Sequence, residues 1–304
     1  MSFARKVRRS KWIPALAGIF LFSLILYLSL SVTLPTSQSP IKLYSSQQRN
    51  DLNRTLVRAV SHARQTITLK TYALTDRSLL SLLKKRAREG LSVHLYYDEK
   101  ASPKLAHLEE ERFHLHPQKG KGLFHEKIWI FDEETVFLGS TNLTPSSLRM
   151  HDNMMVGLYA PELAQELSKG RPGTFLREGL QYFSLPHPEA LSALIETLRN
   201  AKREIKLTLF TFTHPALAEV LSELHQKGIK ITLTLDGTTA RGASRKVKEF
   251  LEKEGVPVRA SRGLELSHTK WGIIDGHTHL IGSANWTKAA FQKNKDFLLI
   301  INIK

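Results

Sequence analysis

Residues 63–98, ARQTITLKTYALTDRSLLSLLKKRAREGLSVHLYYD, can be laid without a gap on residues 201–236, AKREIKLTLFTFTHPALAEVLSELHQKGIKITLTLD. The offset is 138, and Ala63, Ile67, Leu69, Thr75, Leu79, Gly90, Leu95 and Asp98 all recur as the same residue type. Self-similarity at one fixed offset over this length marks an internal duplication. Each copy holds a β-rich run (Thr66 to Ala73; Ile205 to Phe212), a helix closing on glycine (Leu79 to Gly90; Leu217 to Gly228) and a second strand (Ser92 to Tyr97; Lys230 to Leu235). Glycine is the residue expected where a helix ends in a left-handed conformation. An amphipathic helix precedes each copy, Leu52 to Arg64 and Leu191 to Lys202. Strand, helix, strand in succession predicts an α/β fold of two duplicated halves. Each is expected to be a mixed, mostly parallel β-sheet flanked by helices, and the two to pack as a pseudo-twofold body.

Downstream of each copy a second pattern returns. His125, Lys127, Asp132, Gly139, Ser140 and Asn142 match His268, Lys270, Asp275, Gly282, Ser283 and Asn285 at identical spacings. The pattern predicts a hairpin in each half: strand Leu123 to Phe131, turn Asp132 to Glu134, strand Thr135 to Gly139, and strand Thr269 to Ile274, turn Asp275 to His277, strand Thr278 to Gly282. Alternate side chains share a face of a strand, so each His projects with its Lys. Ser140 with Asn142, and Ser283 with Asn285, can add neutral donors at the same place, and Gly139 and Gly282 let the backbone come close. Two imidazoles, two ammonium groups, two amides and two hydroxyls suit a phosphate diester. One His attacks phosphorus, the other protonates the leaving oxygen, and Lys and Asn hold the charge that develops. Asp132 and Asp275 belong to the candidate catalytic set, yet as turn residues they suit equally the bonding of backbone N–H groups. Trp129 and Trp271 are expected in the core or the cleft wall. The pairs His114/His116 and His277/His279 have no partner ligands near them in sequence, so neither a metal nor a cofactor is expected.

The chain has 304 residues, a formal net charge of +16 and no cysteine. The last fact removes disulfides, thiolate zinc sites and cysteine nucleophiles together. Five of the positive charges, Arg5, Lys6, Arg8, Arg9 and Lys11, lie in a basic tail of residues 1–11 expected in the cytoplasm. The remaining excess favours anionic partners, and a phospholipid membrane and a nucleic acid satisfy it equally. Residues 12–34, WIPALAGIFLFSLILYLSLSVTL, are uncharged and long enough to cross a hydrocarbon core, which predicts a transmembrane anchor with the body on the non-cytoplasmic side, periplasmic or luminal. Residues 35–48, rich in Pro and Ser, read as a tether. The first half is placed at 49–160, a connection marked by Gly170, Pro172, Pro186 and Pro188 at 161–190, and the second half at 191–304.

With its two His-x-Lys-x4-Asp sets, each followed by Gly-Ser-x-Asn, the chain resembles the phospholipase D superfamily over roughly residues 50–304. The resemblance implies two phospholipase D-like halves forming one site in a single chain, functional as a monomer, with a covalent phosphohistidine and no metal. It assigns His125 as nucleophile, His268 as general acid, and Lys127, Lys270, Asn142 and Asn285 to the phosphate. Family members carry an Asn-x-Glu after these motifs, whose acid orients a catalytic His, commonly that of the opposite half. Here Asn294-Lys295-Asp296 keeps an acid, whereas His151-Asp152-Asn153 has an amide in its place. Asp296 is thus expected to orient His125, and Asn153 to face His268. The expected activity is a metal-independent phosphodiesterase acting on membrane phospholipids, by headgroup hydrolysis to phosphatidic acid or by transphosphatidylation. An anchored endonuclease cutting DNA or RNA is the alternative.

Overall fold

The computed structural model describes residues 16, 18–23, 32–46, 52–263 and 265–303. The chain divides into two units, Met1–Thr33 and Leu34–Lys304. In the first, residues 16 and 18–23 are helical, and Leu16, Ile19, Phe20, Leu21 and Phe22 are all more than half exposed. Most of the expected anchor, and the whole basic tail, lie outside the described residues. Among the described residues no helix is long and apolar enough to cross a membrane.

The second unit is built on two sheets. Its strands, in chain order, are β1 (Ile41–Ser45), β2 (Thr66–Thr71), β3 (Ser92–Asp98), β4 (Phe113–Gln118), β5 (Lys127–Phe131), β6 (Thr135–Gly139) and β7 (Met154–Tyr159). There follow β8 (Thr174–Arg177), β9 (Leu180–Leu185), β10 (Glu204–Leu209), β11 (Lys230–Leu235), β12 (Val258–Ala260), β13 (Lys270–Ile274), β14 (Thr278–Gly282) and β15 (Asp296–Asn302). The first sheet runs β4-β3-β2-β5-β6-β7-β1, and the second repeats that order as β12-β11-β10-β13-β14-β15-β9, with β8 added at its edge. The duplication read from residues 63–98 and 201–236 therefore extends over both sheets.

The helices follow from their apolar spacing. Leu52, Leu56, Ala59 and Val60 bury one face of the helix Leu52–His62, and Leu79, Leu83 and Ala87 one face of Arg77–Arg88. The latter is capped by Asp76, whose carboxylate accepts from Leu79 N–H at 2.9 Å. Gly90 and Gly228 take φ of +103° and +89° just past the two equivalent helices.

The sheets are mixed, but not mostly parallel as expected. Only β2-β3, β3-β4 and their counterparts β10-β11, β11-β12 run parallel; every other pairing among the described strands is antiparallel. Each motif hairpin closes on a short turn, which makes its strands antiparallel, whereas the parallel pairs need the long crossovers between β2, β3 and β4 and between β10, β11 and β12. Residues 35–48 are likewise more than a tether, because Ile41–Ser45 closes the open edge of β7 as an antiparallel strand. Nor is 161–190 a plain connection. It contains the helix Pro161–Lys169 and the hairpin β8-β9, and β9 stands against β15 as β1 stands against β7.

A shared core joins the halves. Ile128, Ile130, Val136, Val156 and Leu158 of the first sheet pack with Tyr182, Ile281, Phe297, Leu299 and Ile301 of the second, around Leu163 and Leu167 of the helix Pro161–Lys169. At one end of the sheets the backbones also cross-pair. His125 N–H donates to Lys295 C=O and His268 N–H to Asp152 C=O, both at 2.8 Å. Gly122 sits where a Cβ would lie 2.0 Å from Lys293 C=O. Gly122→Ala should therefore force the halves apart at this seam and lower the stability of the body by about 2 kcal/mol, read as a fall in the chemical-denaturation midpoint.

Candidate active site

The cross-pairing sets two equivalent dyads facing one another, each built from both halves. His125 Nδ1 lies 2.8 Å from Asp296 Oδ1, and Ser283 Oγ donates to the same carboxylate oxygen at 2.6 Å. In the mirror arrangement His268 Nδ1 lies 3.3 Å from Asn153 Oδ1 and 3.1 Å from Ser140 C=O, while Ser140 Oγ donates to Asn153 Oδ1 at 2.9 Å. The Asn153 amide nitrogen donates to Ser147 C=O at 2.9 Å, which fixes its oxygen toward His268. In both dyads Nδ1 faces acceptors, so Nδ1 carries the proton and Nε2 is left for chemistry.

Lys127 and Lys270 extend from the first residues of β5 and β13. Each Nζ donates to the carbonyl of its own histidine, at 2.7 and 2.6 Å. Each also lies over an aromatic ring, Lys127 at 5.6 Å from Tyr72 and Lys270 at 4.9 Å from Phe210. Tyr72 and Phe210 occupy aligned positions of the repeat and flank His125 and His268 at 5.3 and 4.7 Å. Two aromatics at one repeat position are a signal legible in the sequence at the 138-residue offset.

All four basic groups are nearly out of water: His125 is 7% exposed, His268 8%, and Lys127 and Lys270 3% each. Burial, with the lysines' charge in support, pushes His125 below the ordinary histidine range and His268 well below it, although Asp296 pulls His125 back up. Burial likewise lowers Lys127 to about 7 and holds Lys270 well below the usual lysine range. Burial on its own would raise Asp296, but His125, Lys127 and the Ser283 hydroxyl together bring it below the usual carboxylate range. The resting site thus contains neutral imidazoles, an ionised Asp296 and two weakly held ammonium protons.

Two of the sequence expectations change. Asp132 and Asp275 lie at the far ends of β5 and β13, away from the histidines. Asp132 accepts from the N–H groups of Arg64, Gln65 and Thr66, the shortest bond being 2.7 Å, and Asp275 from those of Lys202, Arg203 and Glu204 at 2.8 to 2.9 Å. They tie the hairpin turn to the start of the neighbouring strand and are not catalytic groups. Ser140 and Ser283 are not phosphate ligands either; each donates to the side chain that faces a histidine and accepts a backbone N–H, from Met154 at 3.1 Å and Phe297 at 3.0 Å. Asn142 and Asn285 each have a buried Oδ1 with no hydrogen-bond partner among the described residues.

Arg171 was not foreseen. Its guanidinium reaches Glu126 at 2.7 Å and the backbone carbonyl of Asp296 at 3.3 Å, and also bonds Leu185 C=O, while Lys70 Nζ bonds Gly170 C=O beside it. Glu126 is fully buried and adjoins His125. Arg171 therefore braces both backbone segments that carry the His125–Asp296 dyad, and position 269, which corresponds to Glu126, is a threonine. Elsewhere, His114 and His116 stack with His94 at 4.8 and 5.5 Å across β3 and β4.

Asp296→Asn should lower phosphodiester cleavage by about a hundredfold or more, and Asn153→Ala by about tenfold or less, as measured by kcat; comparable losses would remove the distinction between the dyads. Asp275→Ala should instead cost about 2 kcal/mol of stability, with kcat per folded molecule changed less than about threefold.

The family model described as "Cardiolipin synthase, PLD-like domain" matches residues 56–170 and again residues 194–304. The mitochondrial cardiolipin hydrolase of Xenopus laevis is 36% identical over 117 residues, covering 38% of this chain and 55% of that protein. That of Mus musculus is 34% identical over 119 residues, 39% of this chain and 53% of that protein. The chain thus spans about half the length of these curated relatives. Phosphatidylserine synthase of Haemophilus influenzae superposes with a TM-score of 0.70 at 13% identity, over 92% of this chain and 86% of that one. Polyphosphate kinase of Porphyromonas gingivalis gives 0.68 at 16%, over 91% and 47%. At such identities the likeness is one of fold alone. With both halves matched, the chain belongs to the family of cardiolipin synthase-type PLD-like domains and carries two of them.

Proposed function

We propose that this chain is a phosphodiesterase that cleaves membrane phospholipids through a phosphohistidine at His125, without a metal. The observation that carries the reading is the unequal pair of dyads. His125 faces an ionised carboxylate and His268 only an amide and a carbonyl. A histidine that becomes a phosphorylated, positively charged imidazole needs the carboxylate; one that only passes a proton does not.

A phosphodiester anion entering between Lys127 and Lys270 offsets their charge and raises the proton affinity of both lysines and of His268, which takes up a proton from solvent on Nε2 and becomes an imidazolium. His125 Nε2 then attacks phosphorus, and the bond to the leaving oxygen breaks as that oxygen takes the proton from His268 Nε2. Lys127, Lys270, Asn142 and Asn285 hold the equatorial oxygens. His268, now neutral, accepts a proton from an incoming water, whose oxygen bonds to phosphorus as the bond to His125 breaks, releasing phosphatidic acid. An alcohol in place of water gives transphosphatidylation.

The lipid reading is supported by the relatives named mitochondrial cardiolipin hydrolase and by the uncharged stretch at residues 12–34. As an anchor, that stretch would hold the body on the non-cytoplasmic face at high effective concentration of lipid.

The full chain in detergent-doped phospholipid vesicles, with EDTA present, should release phosphatidic acid, and His125→Ala should not. Its kcat/KM should decline as pH rises past about 7, where Lys127 loses its proton, and also as pH falls below the ordinary histidine range, where His125 gains one. Loss of activity in EDTA would sink the metal-free mechanism, and cleavage of single-stranded DNA without any lipid turnover would sink the lipid substrate.

A further inference from the structure

Beside the second motif lies an open basin of about 1050 Å³, formed at the carboxyl ends of β11 and β12. Three guanidinium groups line it, Arg241, Arg259 and Arg262. All three residues are exposed, and none has a hydrogen-bond or ion-pair partner among the described residues. The basin's two carboxylates, Asp236 and Glu265, only partly offset them. Asp236 is buried, and its oxygens accept from the N–H groups of Thr238, Thr239 and Ser267 at 2.9 to 3.0 Å, so that it pairs with none of the three cations. Unpaired arginines around a concavity are suited to a phosphate, which they can grip by paired N–H donors.

The basin's position assigns the phosphate. Its wall at Glu265 and Leu266 runs directly into His268, two residues farther on, and at most about 7 Å of extended chain separates Leu266 from that histidine. The Asp236 carboxylate holds Ser267, the residue before His268, and Leu266 C=O accepts from Asp152 N–H of the other half at 2.9 Å. The first half keeps one of the three cations, and that one is paired. Strand register sets His116 where Arg259 stands, since Tyr96 pairs with His116 as Thr234 pairs with Arg259; Pro103 aligns with Arg241 at the repeat offset, and Lys119, in the place of Arg262, is ion-paired with Glu99 at 3.0 Å.

The three-arginine basin thus lies on the side of the histidine that protonates the leaving oxygen. We infer that it is a subsite for a second phosphate group, carried by the leaving group of a two-phosphate lipid. This inference rests on the lipid reading proposed above. A lipid of this kind would place one phosphodiester between the lysines and the other among the arginines, so that cleavage releases a phosphate-bearing alcohol from the His268 side.

The test compares the full-length wild type with the Arg241→Gln/Arg259→Gln/Arg262→Gln variant on detergent-doped vesicles of two kinds, one containing cardiolipin and the other phosphatidylglycerol at equal phosphate content. These side chains are exposed and unpaired, so the variant should keep the wild-type thermal midpoint. For cardiolipin its kcat/KM should drop by at least about tenfold, while for phosphatidylglycerol it changes less than about twofold. Equal losses on both lipids would mean a general attraction to anionic surfaces and would overturn the subsite, as would no loss on either. Wild type that hydrolyses neither lipid but cuts single-stranded DNA would overturn the lipid reading itself, an outcome distinct from an active wild type whose variant is unchanged.

Discussion

The bond between His125 Nδ1 and Asp296 Oδ1 joins residues 171 positions apart and belonging to different sheets, and much of the surrounding structure maintains it. Asp296 is fully buried, and its carboxylate is held by the Ser283 hydroxyl, which in turn accepts Phe297 N–H. Its carbonyl is held by Arg171, whose other contacts reach Glu126 and β9. The seam at Phe124 and Lys295 brings the two strands together, and the shared apolar core keeps the sheets in register behind it. An imidazole neutral at rest, with one fixed tautomer and a free Nε2, is the product of this whole assembly.

The same site is unfavourable to the fold when considered alone. Two lysines and two histidines are brought out of water, and among the described residues Asp296 is the one carboxylate hydrogen-bonded to any of them; burial weakens the proton affinity of all four. Proteins relinquish such local consistency chiefly at functional sites, and here the large apolar cores of the halves offset it. Under the proposed reading a phosphate diester would supply negative charge to these groups, so that the feature opposing the fold is the one that attracts the substrate.

The parts of this architecture that were legible in sequence are local. The gap-free match of residues 63–98 to 201–236 gave the strand-helix-strand units, and the His-x-Lys sets gave the hairpins and the histidines that meet. Non-local pairing escaped the same reading. Nothing within Ile41–Ser45 says that it completes the edge of β7, and nothing within Leu180–Leu185 says that it repeats that arrangement beside β15. Asp132 and Ser140 lie close to His125 and Lys127 in sequence, yet strand geometry carries Asp132 to the other end of β5, and the fold turns Ser140 toward Asn153. Arg171 sits among Gly and Pro in a segment that looked like a linker, and its role exists only once three distant backbone segments converge on it.

The cross-half pairing has one more consequence. In a symmetric dimer of identical subunits every substitution appears twice, so an acid exchanged for an amide would be lost from both dyads. With both halves on one chain, the positions of Asp296 and Asn153 are inherited independently, and each histidine can acquire its own surroundings. Fusion has turned two copies of one tool into a left and a right hand.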